Sequence, residues 1–244
     1  MDFIAVASAL RTYNETQFSR EIDPADHMWN TGQAWYWDVG RSGLDCIMRG
    51  LAASPIAQPR SILDLACGYG RVARHISAAF PAVRLIWCDI EGAEFCAKHF
   101  GGEAIYSDRE LLNVRLPRVD AVWVGSLFTH VAEPRARTWL AHIVACLNPS
   151  GVMIATFHGR TSMRLYRSAL SHMTPMLDRI ETECSATGWG YEADHAATDP
   201  EWGFSVTAID RLARVAADVP DTLIGGLAEG GWAANHDVLV LVKN

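Results

Sequence analysis

Ser61-Ile62-Leu63-Asp64-Leu65-Ala66-Cys67-Gly68-Tyr69-Gly70-Arg71 runs from an apolar strand through a carboxylate into a glycine turn and out into a helix. Glycine at 68 and 70 lets the backbone turn sharply and approach a ligand with no Cβ in the way. The helix behind the turn aims its free N–H groups at whatever the loop holds. Asp89 closes a second apolar run, Arg84-Leu85-Ile86-Trp87-Cys88-Asp89. A carboxylate there is placed to accept hydrogen bonds from ribose hydroxyls. The two strand ends therefore face one nucleotide-type cofactor.

Outward from this stretch the pattern alternates regularly. It predicts strand 61–65, helix 70–80, strand 84–89, helix 91–100, strand 104–106, strand 120–125, helix 133–147 and strand 151–157. Strands that alternate with helices make βαβ crossovers, hence an α/β, doubly wound parallel sheet with its ligand at the carboxyl ends of the strands. Pro149-Ser150-Gly151 is read as the turn that stops the 133–147 helix. A last helix near 207–218 precedes Thr222–Leu227 and Asp237–Val242. The Gly-rich link between these two runs is too short for a helical crossover, so they pair as a hairpin and the last strand is antiparallel.

Two regions fall outside that rhythm. Residues 1–57 carry helical spacing, with an apolar face from Phe3 to Leu10 and Trp29, Trp35, Tyr36 and Trp37 grouped where a helical N-terminal cap would lie over a cleft. Aromatic packing onto the core explains the same residues. Pro55 and Pro59 flank the link into the main domain, 58–244, within which 161–203 reads as an inserted lid. Its segment 187–203 supplies Trp189, Tyr191, Glu192, Asp194, His195, Glu201 and Trp202 as pocket residues or as a solvated insertion.

With 28 acidic and 21 basic residues and a net charge of −7, the chain has no basic run suited to phosphate backbones, and nucleic acid is not an expected partner. No stretch approaches the roughly 20 apolar residues needed to cross a bilayer. The six cysteines lie in apolar segments without C-x-x-C or zinc spacing and read as reduced core thiols. The expectation is a cytoplasmic protein without a metal; oligomeric state is open.

The order of these motifs resembles the class I S-adenosylmethionine-dependent methyltransferases from about residue 58 to the end. Asp64, Ala66, Gly68 and Gly70 stand at the positions of the family's first signature. Phe128-Thr129-His130, Leu147-Asn148-Pro149-Ser150-Gly151, Thr156-Phe157-His158-Gly159 and His236–Leu241 look like its small-molecule branch. The resemblance implies a Rossmann-like methyltransferase fold, a seven-stranded sheet with the last strand antiparallel. Two departures stand out: Ala66 replaces a glycine, tolerated where φ is negative, and Ser150 replaces the first glycine of a Pro-Gly-Gly turn. The spacing Gly68-x-Gly70-x-x-Ala73, with Asp89 about 20 residues on, also fits the dinucleotide fingerprint of a nicotinamide oxidoreductase.

By resemblance, the loop from Asp64 to Gly70 contacts the methionine end of S-adenosylmethionine, and a carbonyl near Ala66 or Ser126 takes its ammonium. Asp89 holds the ribose, and Ser107 and Asp108 lie where adenine is contacted; Asp108 equally fits a turn cap. Arg71 is ambiguous between the cofactor carboxylate, Asp64 and solvent. Methyl transfer is an in-line displacement that requires position, water exclusion and a usable nucleophile. Histidine suits the removal of a proton from a small-molecule acceptor, and His158 and His130 are the candidate catalytic residues, with His236 third. O-methylation of a sugar or natural-product hydroxyl, releasing S-adenosylhomocysteine, is the expected reaction. N-methylation of an amine and a non-catalytic cofactor-binding module are the alternatives.

Overall fold

The computed structural model describes residues 13, 18–31, 33–56, 58–194, 199 and 201–244. The expected helix face over Phe3–Leu10 and the lid residue His195 lie outside the described residues. The chain enters through α1 (Gln33–Ala53) and then alternates through β1 (Ser61–Leu65), α2 (Ala73–Ala79), β2 (Arg84–Asp89), α3 (Ala93–Phe100) and β3 (Glu103–Tyr106). It continues through β4 (Val119–Val124), α4 (Glu133–Ala145) and β5 (Leu147–Phe157), then α5 (Arg160–Ala169), α6 (Thr174–Thr187), β6 (Trp189–Ala193) and β7 (Gly203–Thr207). It closes with α7 (Ile209–Ala217), β8 (Thr222–Trp232) and β9 (His236–Lys243).

Seven strands form one sheet in the order β3-β2-β1-β4-β5-β9-β8, with β6 and β7 a separate ribbon. β1 pairs parallel with β2 and with β4, and β4 with β5. β9 runs antiparallel to both of its neighbours, β5 and β8, as the short link between β8 and β9 requires. The strand order reverses between β1 and β4, which opens a crevice at their carboxyl ends.

Side chains of the central strands alternate between two cores. Ile62, Trp87, Ala121, Trp123 and Ile154 point to the layer of α1, α2 and α3. Leu63, Leu65, Ile86, Val122 and Val124 point to the layer of α4 and α7. Each buried Val, Leu or Ile among them stabilises the fold by about 1.5–3 kcal/mol, so the sheet's centre is the least yielding part of the molecule. Among the described residues no helix is long and apolar enough to cross a membrane, and all six cysteines are free, five of them buried.

Several boundaries differ from the sequence expectation, and the following do so for a local reason. The helix expected from residue 70 starts at Ala73, because Gly70 has φ +84, outside helical space. The helix expected to reach 147 ends at Ala145, and Leu147 already pairs with Val119. Pro149-Ser150-Gly151 is therefore not a helix stop; it sits in an irregular opening of β5, where the register shifts and Ser150 takes φ 64. Within 161–203, the helical piece is two helices, and the polar segment after it pairs with residues up to Thr207 as an antiparallel ribbon.

Candidate active site

β1 ends in Asp64 and Leu65, and the loop that follows is tied to β2 from both sides. Ala66 and Cys67 donate their backbone N–H groups to the Cys88 carbonyl at 2.8 and 3.2 Å. The Asp89 carboxylate accepts from Gly68 N at 2.9 Å, Glu91 N at 3.0 Å and Gly92 N at 3.2 Å. Asp89 thus braces the glycine loop as well as facing the crevice. Ala66 has φ 64, which overturns the expectation of a negative value at this position. The two hydrogen bonds to Cys88 hold the loop in this left-handed conformation, at a cost of about 1–2 kcal/mol for a residue with a Cβ.

A cavity of about 390 Å³ opens beside this loop. Of the sequence-predicted cofactor residues, Ala66, Asp89, Ser107, Asp108 and Ser126 line it, and so does His130. Asp64 lies beneath it, 1% exposed, and Gly68 and Gly70 form the turn beside it. Asp108 accepts from Glu110 N at 2.8 Å and from Asn113 Nδ2 at 3.3 Å, so it caps the following turn while it faces the cavity. The volume falls in the range of small-molecule sites.

The three candidate histidines differ in what their ring nitrogens touch. His130 Nδ1 lies 2.9 Å from the Gly203 carbonyl, and its ring stacks on Trp202 at 4.5 Å. A carbonyl only accepts, so Nδ1 carries the hydrogen and Nε2 is left as the acceptor. His158 is buried and has both nitrogens engaged, Nδ1 with the Ser205 carbonyl at 3.1 Å and Nε2 with Tyr166 Oη at 3.1 Å. By the same logic Tyr166 donates to it. His236 places Nδ1 3.3 Å from Thr156 Oγ1. Asp237 does not orient His236; it accepts from Gly230 N at 2.8 Å instead, because adjacent strand residues face opposite ways. Burial holds His130 below the usual imidazole range, pushes His158 well below it and takes His236 down to about 3.

The ribbon sets this geometry. Its β7 strand lies across the carboxyl ends of β4 and β5, with Thr207 N donating to the His158 carbonyl at 2.8 Å and Ser205 Oγ to the Phe128 carbonyl at 2.9 Å. Tyr166, Thr156 and the role of Gly203 escape a sequence reading. A tyrosine among the polar residues of a helix carries no signal that it will meet a histidine eight residues earlier.

Two features test the fit of an S-adenosyl cofactor. Asp64 Oδ2 is buried with no hydrogen-bond partner, a carboxyl group directly under the loop whose charged form a cation beside it would favour. A Cβ at Gly68, φ +52, would project into open space with nothing within 4 Å, as a cradle for a ligand requires. Both fit a sulfonium- and ammonium-bearing ligand.

Residues 62–151 match the family described as methyltransferase domain. No curated protein is similar to the chain at the level of sequence. An O-methyltransferase family 2 protein from Planctomyces limnophilus, solved with apigenin, superposes with TM-score 0.57 at 14% identity, over 88% of this chain and 62% of its own. Magnesium protoporphyrin IX methyltransferase from Synechocystis, with bound S-adenosylhomocysteine, gives TM-score 0.57 at 11% identity over 100% of this chain and 96% of its own. Human N-acetylserotonin methyltransferase with S-adenosylmethionine gives TM-score 0.51 at 15% identity, over 99% of this chain and 66% of its own. This chain therefore spans less than two thirds of the first and third of these proteins. Residues 62–151 thus match a methyltransferase domain, and the chain shares the fold of these methyltransferases. Two of these structures hold S-adenosylmethionine or S-adenosylhomocysteine, the ligand that the sequence resemblance implies for the glycine loop of this chain.

Proposed function

We propose that the chain methylates an oxygen of a small-molecule acceptor in the cytoplasm, with His130 as the base. The observation that carries this reading is the fixed tautomer of His130: its Nδ1 hydrogen is committed to Gly203, and the ring lines the same cavity as Ala66, Asp89 and Ser126. The cofactor supplies, when bound, a methyl group on a sulfonium and leaves as S-adenosylhomocysteine.

The chain's own residues do the rest. Ala66, Asp89, Ser107, Asp108 and Ser126 hold the cofactor, with Asp64, Gly68 and Gly70 shaping the loop. His130 Nε2 receives the acceptor's hydroxyl proton as its oxygen bonds to carbon, and the Gly203 carbonyl steadies the resulting imidazolium. The β6–β7 ribbon keeps water from the reacting atoms. His158 acts one step removed, holding the Tyr166 hydroxyl in place. The small molecules named for the neighbouring structures, apigenin, N-acetylserotonin and magnesium protoporphyrin IX, support a small-molecule substrate. The net charge of −7 argues against nucleic acid.

The test is an acceptor screen with radiolabelled methyl donor, followed by His130→Gln. The substitution is expected to lower kcat about 10²–10⁴-fold while the affinity for S-adenosylhomocysteine, measured by calorimetry, stays within threefold. Because burial depresses His130 and the base must be neutral, the acid limb of the rate profile should lie below pH 6.5. A wild-type rate in the variant, or a limb above pH 7, would move the base elsewhere.

A further inference from the structure

Two arginines follow the glycine loop, and their surroundings differ. Arg74 is fully buried and fully claimed: its guanidinium donates to the carbonyls of Gly70, Ser19, Glu21 and Tyr69 and to Tyr36 Oη, at 2.9–3.3 Å. It is a structural clasp. Arg71 lies over two indoles, its Cζ 5.6 Å from the Trp35 ring centroid and 5.5 Å from that of Trp232. Among the described residues nothing accepts a hydrogen bond from it and no carboxylate pairs with it. A guanidinium offers five N–H donors in a planar fork, and here all are left over in a partly buried slot. The carboxylate whose field reaches it, Asp26, is already committed to Tyr36 Oη at 2.7 Å and Met28 N at 3.0 Å. Burial disfavours the charge on Arg71, so an arriving anion would relieve it.

A second donor stands beside this slot. Trp232 packs edge-on against the His236 ring at 4.9 Å. Thr156 Oγ1 accepts from Ser126 N at 2.8 Å and lies 3.3 Å from His236 Nδ1, to which its own hydrogen can be donated. The neutral ring then carries its hydrogen on Nε2, which has no partner among the described residues. The fields of Arg71 and His130 both act on His236, so it lies near the unclaimed guanidinium and the proposed base. None of Arg71, Trp35, Trp232 or His236 lines the cavity formed by Ala66, Asp89, Ser107 and Ser126.

We infer that the methyl acceptor bears a carboxylate, and that Arg71, with Trp35 and Trp232 beside it and assisted by His236 Nε2–H, is the residue that selects it. The indole faces give the slot a flat, apolar lining, so the acceptor is an aromatic or otherwise planar acid. The assignment rests on the methyltransferase reading. The cofactor's methionine also carries a carboxylate, and the experiment separates the two sources.

Calorimetry with S-adenosylhomocysteine is run first on the wild type, Arg71→Gln and Arg71→Lys. Each cofactor-saturated protein is then titrated with benzoate, 4-hydroxybenzoate and 4-hydroxyphenylacetate and with the corresponding neutral amides. The wild type should prefer at least one acid over its amide by tenfold or more. Arg71→Gln should lose that preference, and Arg71→Lys should keep part of it, since the charge remains while the planar fork is lost. All three should bind S-adenosylhomocysteine within threefold of one another. A tenfold loss of cofactor affinity in Arg71→Gln would assign the guanidinium to the methionine carboxylate and overturn the inference. Absence of any acid preference in the wild type would overturn it without recourse to a variant. Failure of the wild type to bind S-adenosylhomocysteine would instead strike the methyltransferase reading itself, and the inference with it.

Discussion

A carboxyl group sealed from water with no donor beside it costs free energy in its charged form and keeps its proton to avoid that cost. Asp64 is in this position: burial first, and the nearby charge of Asp89 second, hold its carboxyl well above the usual range. The folded-state pKa is raised, so the native state gains from this group below the unfolded pKa of about 3.9 and loses that gain as pH rises toward the folded value. Asp64→Asn should therefore stabilise the ligand-free protein by about 1–3 kcal/mol at pH 8 and weaken S-adenosylmethionine binding. Urea unfolding without ligand and calorimetry with it read the two effects. A less stable variant with unchanged cofactor affinity would contradict this role. That an acid ends β1 was legible from the sequence; that it stands without a partner was not, since partners are supplied by distant backbone. Ala66 teaches the same lesson, because its positive φ follows from the Cys88 carbonyl and not from its neighbours in sequence.

At the scale of elements, α1 and the β6–β7 ribbon contrast. Tyr36, Val39, Leu44, Ile47 and Leu51 recur at helical spacing and are buried, so the helix could be read directly. Its closest approach to the sheet could not. A Cβ at Gly50 would stand 2.3 Å from Ile154 Cγ1, on a strand with no room to yield. Alanine improves helix propensity by about 1 kcal/mol, but overpacking costs about 1–3 kcal/mol. Gly50→Ala should on balance destabilise, which thermal unfolding will register; a gain in Tm would mean that α1 rides loosely on the sheet. The ribbon was invisible as such, because two short strands that pair only with each other are stable only when packed against something. Here that support comes from the ends of β4 and β5, through Phe128, Phe157 and His158.

For the molecule as a whole, buried histidines govern the response to acid. His75 and His236 are pushed down to about 3 by burial, and His158 and His130 are also lowered. Unfolded histidines titrate near pH 6.5, so between these values the unfolded chain binds more protons and stability is lost as pH falls. His75 and His236 should each account for about 2 kcal/mol between pH 6.5 and 5. Asp64 and Asp237, the latter raised to about 6 by burial, oppose this trend, two groups against four. The urea midpoint should therefore fall from pH 7 to pH 5, and a flat or rising midpoint would show that these rings are charged and paired in the native state. The sequence by itself determined the order of strands and helices, the acids at the ends of β1 and β2, and the antiparallel β9, because apolar period, glycine position and link length are local quantities. Only the tertiary structure decided which histidine keeps an open acceptor and which arginine has nothing to bind. His130, His158 and His236 owe their tautomers to partners 73, 47 and 80 residues away. A proton's place on an imidazole depends on what lies across the fold, and no run of neighbouring residues contains that information.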